Sequence, residues 1–329
     1  MLRRYIIKRV LIAIPTLVVI SFAVFMIIQL PPGSFVEWQI QQMEESGQVD
    51  MVKIQQLVNR YQLDEPLYVQ YFAWFGSFLT GDMGESFQTG VPVSRMLADL
   101  LPATIAISVF SLLLTWAIAV PFGVLAAVER NTFIDYLLTL VALTAMATPA
   151  FVLALLFMMG MQALDPSFDP TGLFSPEYAN APWSWAKVAD LLMHLWVPVV
   201  ILGVRGTAGM IRILRANVID ELRKQYVQAA RARGLHPALV VLRYPVRVAV
   251  NPLISNIGLV LPRIISGSVI IAFVLGLQTV GPQLLQALRA QDTYLATSIV
   301  FFQCILAVVG ILISDILLAV VDPRIRFGG

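Results

Sequence analysis

The sequence contains little charge. Only 13% of its 329 residues are charged and 58% are hydrophobic, whereas a soluble domain of this size usually carries about 25% charged residues. This shortage excludes an ordinary soluble domain and indicates that lipid solvates most of the chain. The net charge of +2 gives no sign of a nucleic-acid partner, and none is expected.

Residues that build catalytic and metal sites are also scarce. The single cysteine, Cys304, lies in an apolar run, which excludes a disulfide framework and a cysteine metal cluster. His194 and His236 are far apart, and no lysine follows a glycine, so neither an H-E-x-x-H metal site nor a phosphate-binding P-loop is present. We therefore expect no enzyme activity and no cofactor in this chain.

Long apolar runs are what the sequence has in abundance. A membrane-spanning helix needs roughly 20 apolar residues, and six runs approach or exceed that length: Val10–Leu30, Leu100–Val128, Tyr136–Leu164, Leu191–Val204, Ile264–Leu288 and Thr293–Ser314. The fourth run suffices only if it continues past Arg205 to about Ile213. The fifth should begin near Ile254 and leave the membrane after Leu277. The sequence predicts an all-α integral membrane protein with six transmembrane helices.

The distribution of basic residues predicts the orientation of these helices. Residues 31–99 hold three basic and nine acidic residues, whereas residues 205–253 hold nine basic and two acidic ones. Because cytoplasmic loops collect Lys and Arg, both termini should lie inside and residues 31–99 outside. The first run is longer than the core of a cleaved signal peptide, so residues 1–30 are expected to form an uncleaved anchor helix.

The long outer loop, residues 31–99, should contain amphipathic helices. Apolar residues recur at helical spacing from Val52 to Val58, and a second such stretch runs from Leu67 to Leu79. Trp74 and its aromatic neighbours suit a helix at the membrane interface. The second outer loop, roughly residues 165–189, is expected to be irregular. The remaining residues, 100–329, form the predicted core with helices two to six.

A basic, alanine-rich stretch follows the fourth run. Val218–Arg233 contains no proline or glycine, Gly234 suits a left-handed helix end, and Pro237 stops a helix. We therefore predict a helix over about residues 218–234 at the cytoplasmic surface. Its charge is also compatible with an ordinary positive-inside loop or with a surface helix that binds anionic lipid. Neither alternative explains the spacing from Ala229 and Ala230 to Gly234.

The same stretch, QYVQAARARGLHPALVVLRYPVRVAVNP, resembles the E-A-A-x-x-x-G region of bacterial ABC-importer permeases. Further matches occur in order along the chain: YIIKRVLIAIPTLVV, LDEPLYVQY, GDMGESF, LPATIAIS, PFGVLAA and DPRIRFG. Together they are similar to the dipeptide/oligopeptide (peptide/nickel/opine) permease family. The resemblance implies the transmembrane domain of a type I ABC importer in a bacterial or archaeal inner membrane.

The resemblance also implies partners and a coupling site. A homologous second permease, two ATPase subunits that bind ATP and Mg²⁺, an external solute-binding protein and membrane lipid would complete the importer. The helix around residues 218–234 would be the coupling helix that an ATPase holds. Its candidate contact residues are Gln228, Ala229, Ala230 and Gly234, with Tyr226, Arg231 and Arg233. Residues 31–99 would help to dock the binding protein, or would simply form a scaffold around the first span.

Several positions depart from the family pattern. Gln228 replaces the usual glutamate of the motif, and Ala272, in the fifth run, replaces another glutamate. Arg263 and Arg205 lie within or beside apolar runs, where an ionisable group suggests a functional site, so both are candidates for the substrate pathway. Alternatively, Arg263 pairs with an acid such as Asp315, and Arg205 extends toward the membrane interface.

The function predicted from these features is solute import driven by ATP hydrolysis in partner subunits. Substrates carried by the family include oligopeptides, oligosaccharides, opines and metal complexes, and the sequence leaves this choice open. The alternative is an ATP-independent secondary transporter or channel, many of which show inverted repeats. No such repeat is evident here.

Overall fold

The structure is a computed structural model that describes residues 2–30, 52, 55, 58, 59, 64–166, 171–179, 181–255, 257 and 269–321. Regular structure in these ranges is helical, apart from one isolated β-bridge between Glu85 and Pro92. The helices are α1 (Leu2–Gln29), α2 (Leu67–Leu79), α3 (Val93–Val128), α4 (Phe133–Ala147), α5 (Ala150–Leu164), α6 (Trp185–Leu222), α7 (Gln225–Ala232), α8 (Pro237–Arg243), α9 (Pro245–Ala249), α10 (Asn251–Ser255), α11 (Val269–Val274), α12 (Val280–Arg289) and α13 (Thr293–Val321).

Several helical segments of the described ranges are long and apolar enough to cross a membrane. They are Arg4–Gln29, Val93–Val128, Trp185–Leu222, Pro237–Ser255 and Thr293–Val321, and the pair α4 and α5 forms a sixth if it is counted as one span. The prediction of an all-α membrane protein is confirmed. Pro237–Ser255 was not among the expected spans. Most of the region between it and α11 lies outside the described residues.

The expected third span is not one continuous helix. α4 and α5 meet at an angle of 104°, with Thr148 in an extended conformation and Pro149 immediately after it. A residue before proline is sterically disfavoured in the helical region, and proline offers no N–H to continue the hydrogen-bond ladder. The run Tyr136–Leu164, expected as one span, therefore consists of two helices joined by a bend.

The fourth span is much longer than predicted. α6 runs without interruption through Pro198 over 38 residues, which corresponds to about 57 Å at 1.5 Å per residue. A bilayer core is only about 30 Å thick, so α6 extends well beyond it. Residues 185–189, expected to be loop, form its first turn.

The chain divides into two compact units. The first comprises residues 1–6, 105–277 and 309–329, and the second comprises residues 7–104 and 278–308. In the first unit, α3 and α6 pack closely at two glycines. A Cβ at Gly203 would lie 2.9 Å from the Leu114 side chain, and a Cβ at Gly206 would lie 2.9 Å from the Thr115 side chain. The Thr115 hydroxyl donates to the Gly203 carbonyl at 3.1 Å. Small residues at such crossings are typical of packed membrane helices.

The second unit is built around an aromatic cluster. Its buried members are Phe25, Tyr71, Trp74, Phe87, Tyr294 and Phe301, which come from α1, α2, the link before α3, and α13. The prediction of a helix over Leu67–Leu79 is confirmed to the residue. The first amphipathic stretch, Val52–Val58, lies largely outside the described residues.

Candidate functional site

The predicted coupling helix begins later than expected. α7 covers Gln225–Ala232, and Lys224 before it is extended, with φ −71° and ψ 149°. Residues 218–222 belong to α6, so the prediction of one helix over 218–234 is wrong. The physical reason is packing: Val218 is buried in the cluster with Leu214, whereas α7 packs into a separate one. No proline or glycine marks that change of direction.

The end of α7 agrees with the sequence. Gly234 has φ +74°, the left-handed conformation that only glycine adopts without strain, and its N–H donates to the Arg231 carbonyl at 2.9 Å. Pro237 does more than stop a helix, because it occupies the first turn of α8. The chain therefore turns sharply between two short helices.

α7 has a buried side and an exposed side. Val227 and Ala230 are buried against Val240 of α8. Ala230, one of the expected partner contacts, is 3% exposed and packs against its own chain. The candidate contact residues that remain exposed are Tyr226, Gln228, Ala229, Arg231, Arg233 and Gly234.

Polar contacts connect α7 to the end of α6. The Tyr226 hydroxyl donates to the Glu221 carboxylate, and burial together with that acceptor raises the pKa of Tyr226 to about 12. The Gln228 amide donates to the Arg223 carbonyl at 3.5 Å, a long and weak bond. Together with the packing of Ala230, these contacts connect α6, α7 and α8 to one another.

Arg205 lies on α6, 20 residues after Trp185. At 1.5 Å per residue this places it about 30 Å along the axis, which is the full thickness of a bilayer core. Arg205 is exposed, as is Arg212 two turns further on. The second pathway candidate, Arg263, lies outside the described residues, and so does its proposed pairing with Asp315.

Sequence reasoning missed an ion pair between α4 and α6. Arg215 donates from Nε and Nη2 to the two Asp135 oxygens, both at 2.7 Å. Asp135 is buried, and it also accepts the Asn131 N–H at 2.9 Å. An acid in the first turn of an apolar helix could have suggested a buried ion pair. The sequence could not identify the partner, because Arg215 is 80 residues away.

A second buried acid, Asp292, connects the link 84–92 to the start of α13. Its carboxylate accepts from the Ser86 hydroxyl at 2.6 Å and from the Leu295 N–H at 3.2 Å. Burial raises the pKa of Asp292, and these hydrogen bonds oppose that shift without cancelling it. The fully buried carboxyl therefore serves as a helix cap and as an anchor for the link.

Lys187 and Asp190, in the first turns of α6, bind the segment that precedes this helix. The buried ammonium of Lys187 donates to the Ala181 carbonyl at 2.6 Å and lies 4.8 Å from the centre of the Phe174 ring. The Ser175 hydroxyl donates to Asp190 at 2.6 Å. These contacts, which pattern reading did not anticipate, fold the irregular segment onto the first turns of α6.

Comparison with known proteins gives matches over nearly the whole chain. Residues 119–327 match the family described as "Binding-protein-dependent transport system inner membrane component", and residues 1–108 match the corresponding N-terminal family. The chain is 32% identical over 324 residues to the oligopeptide transport system permease protein AppB of Bacillus subtilis (strain 168), covering 98% of this chain and 99% of that protein. It is 28% identical over 326 residues to oligopeptide transport system permease protein OppB of Haemophilus influenzae, with the same coverage.

A solved structure shares the fold. A chain of the inward-facing MetNI methionine ABC transporter superposes with a TM-score of 0.54 at 16% identity, covering 69% of this chain and 97% of that chain. The likeness confirms the predicted type I importer fold, and the family matches confirm the resemblance noted in the sequence. The chain belongs to the inner membrane component family of binding-protein-dependent transport systems, and it is a multi-pass permease subunit of an ABC importer rather than an enzyme.

Proposed function

We propose that this permease imports short peptides. The observation that carries the proposal is the end-to-end similarity to permeases named for oligopeptide and dipeptide transport. Oligosaccharides are the main competing substrate class, since the resemblance of the sequence to its family left them open.

α7 is the proposed docking element for an ATPase subunit. Ala229 leaves room for a close approach to the helix backbone, and Arg231 and Arg233 supply a cationic rim. The contacts of Tyr226 with Glu221 and of Ala230 with α8 support a rigid connection. A displacement of α7 would therefore move α6 as well, which is the mechanical requirement for coupling two distant sites.

The proposed assembly contains a homologous second permease, two ATPases that bind ATP and Mg²⁺, and one external binding protein. Importers of this family work with ATPase and substrate-binding partners in general; the numbers are our proposal. Both termini and α7 are placed in the cytoplasm, with residues 31–99 outside, because basic residues cluster at the α7 end of α6.

α6 exposes apolar residues near its start but exposes two arginines further along, which supports a pathway role for Arg205. Near its start the exposed large apolar residues are Trp185, Leu192, Met193 and Trp196. At 100° per residue, Arg205 and Arg212 project about 100–180° away from them. We place these arginines at the inner end of the pathway, where guanidinium groups would attract peptide carboxylates. Arg263 remains a second candidate.

The decisive experiment is reconstitution of the permease with its co-expressed partners in proteoliposomes. ATP hydrolysis is measured with the binding protein loaded with peptide, loaded with oligosaccharide, or empty. We expect stimulation by the peptide-loaded form alone. Stimulation by oligosaccharide alone would refute the substrate class, and hydrolysis that ignores every loaded binding protein would refute the importer mechanism. Arg205→Gln should then raise the peptide concentration needed for half-maximal transport, while Gln303→Ala, on α13, serves as a polar control.

A further inference from the structure

We propose that α2 is immersed in the lipid leaflet at the Gln29 end of α1, with its exposed row of Tyr68, Phe72 and Leu79 in contact with acyl chains. The proposal rests on the membrane location of the family and does not depend on the substrate or on the coupling role of α7.

The composition of α2 is that of a lipid-embedded segment. Its 13 residues, LYVQYFAWFGSFL, contain no charged side chain, whereas Asp64 and Glu65 precede it and Asp82 follows it. Apolar stretches of about 10–14 residues are too short to span a bilayer and are typical of buried, re-entrant or interfacial helices. The acids at both ends indicate where the chain returns to water.

Contacts of α2 with two spanning helices give its depth. The Tyr71 hydroxyl is 2.9 Å from the Ser21 hydroxyl, and Ser21 lies eight residues before the end of α1 at Gln29. The Trp74 ring is 5.7 Å from the ring of Phe301, eight residues after the start of α13. Eight helical residues correspond to about 12 Å. The buried side of α2, with Tyr71 and Trp74, therefore lies about 12 Å along the axis from the C-terminal end of α1 and from the N-terminal end of α13.

The other side of α2 is apolar as well. The exposed fractions are 61% for Tyr68, 67% for Phe72 and 70% for Leu79. Contiguous apolar surface of this kind marks a contact with membrane or protein. Phe22 of α1, itself 46% exposed, contacts the Tyr71 ring at 5.1 Å. Because α1 spans the membrane, its exposed apolar side faces acyl chains, and the row on α2 continues that surface.

The backbone of α2 is also suited to lipid, where every polar group needs an internal partner. At the C-terminal end, the carbonyls of Gly76, Ser77 and Phe78 accept from the N–H groups of Thr80, Asp82 and Gly81 respectively. At the other end, the Pro66 carbonyl accepts from the Val69 and Gln70 N–H groups. The last turn therefore does not depend on water for its hydrogen bonds.

Spin labelling of the assembled importer in proteoliposomes tests the proposal. Single cysteines are placed in a Cys304→Ala background at Phe72, at Val19 as the lipid-facing control on α1, and at Glu65 as the water-facing control. Collision rates are measured with oxygen, which partitions into lipid, and with a water-soluble nickel chelate. We expect an oxygen-to-nickel ratio at position 72 comparable with that at 19 and several-fold above that at 65.

Two results would overturn the proposal. A nickel-accessible label at position 72 would place α2 in water, and a label shielded from both reagents would show that a protein covers the row. Gly76 provides a second measurement that leaves the aromatic cluster intact, since a Cβ there meets nothing within 4 Å. Gly76→Leu should leave transport unchanged in lipid, whereas loss of assembly or transport would indicate a protein partner at this face.

Discussion

The ion pair between Asp135 and Arg215 permits a sharp prediction. Asp135 is 2% exposed, and the side chain of Arg215 is 29% exposed. Removing one partner of a buried pair usually costs about 3–5 kcal/mol, because a charge is left without compensation. Arg215→Gln leaves the more buried group unpaired, so we expect a loss of about 3–4 kcal/mol. Asp135→Asn leaves a partly solvated guanidinium and should cost only about 1–3 kcal/mol.

A double-mutant cycle isolates the interaction. Unfolding of the purified permease is followed by titration with a denaturing detergent for both single variants and for Asp135→Asn combined with Arg215→Gln. The double variant contains no unpaired charge, so its loss should fall at least about 1–2 kcal/mol short of the sum of the single losses. Arg212→Gln, an exposed arginine on the same helix, is the matched control and should stay within about 0.5 kcal/mol of wild type.

Three results would refute this reasoning. Strict additivity in the cycle would show that the two groups do not interact. A smaller loss for Arg215→Gln than for Asp135→Asn would contradict the argument from burial. An equal loss for Arg212→Gln would show that removing any arginine from α6 is destabilising.

The remaining predictions concern α7 and Asp292. Ala229→Trp should lower co-purification of the ATPase about tenfold or more, because overpacking a contact costs about 1–3 kcal/mol. The control is Ala186→Trp, at an exposed alanine at the start of α6, which should leave co-purification unchanged. Equal losses in the two variants would argue against α7 as the docking element. Gln228→Glu removes an amide donor that contributes through a bond of 3.5 Å, so transport rates should stay within about twofold, and a large loss would assign the amide a direct partner contact. The raised pKa of Asp292 implies stability that is fully present below the unfolded-state value of about 3.9 and is lost as pH rises through the higher folded-state value. Asp292→Asn should therefore flatten the dependence of the thermal midpoint on pH above about 4, and an unchanged slope would show that other groups dominate.

The span pattern shows how far local information reaches. The bounds of α2 followed from apolar residues at helical spacing, and the membrane class followed from hydropathy. A break at Thr148 and Pro149 is consistent with the sequence, since the residue before proline disfavours the helical region, but the angle of 104° between α4 and α5 is not a property of neighbouring residues. The expected helix over 218–234 failed for a different reason: the boundary after Leu222 has no breaker residue.

The candidate site shows the same division. The exposed motif residues and the left-handed Gly234 were anticipated from spacing and cap chemistry. The burial of Ala230 was not, because it depends on Val240 of α8, which packs back on α7 after the turn at Gly234. Asp135 and Arg215 are 80 residues apart, and Ser86 and Asp292 are 206 apart. Neither pair can be predicted from the pattern of neighbouring residues.

The sequence by itself determined the lipid environment, the family, α2 and the end of α7, because hydrophobic content, helix caps and motif spacing are properties of neighbouring residues. Only the tertiary structure decided where α6 gives way to α7, which side of α7 is available, and which acids are buried. Those features depend on packing between helices that are distant along the chain. Whether a side chain is buried depends on which helix packs against it.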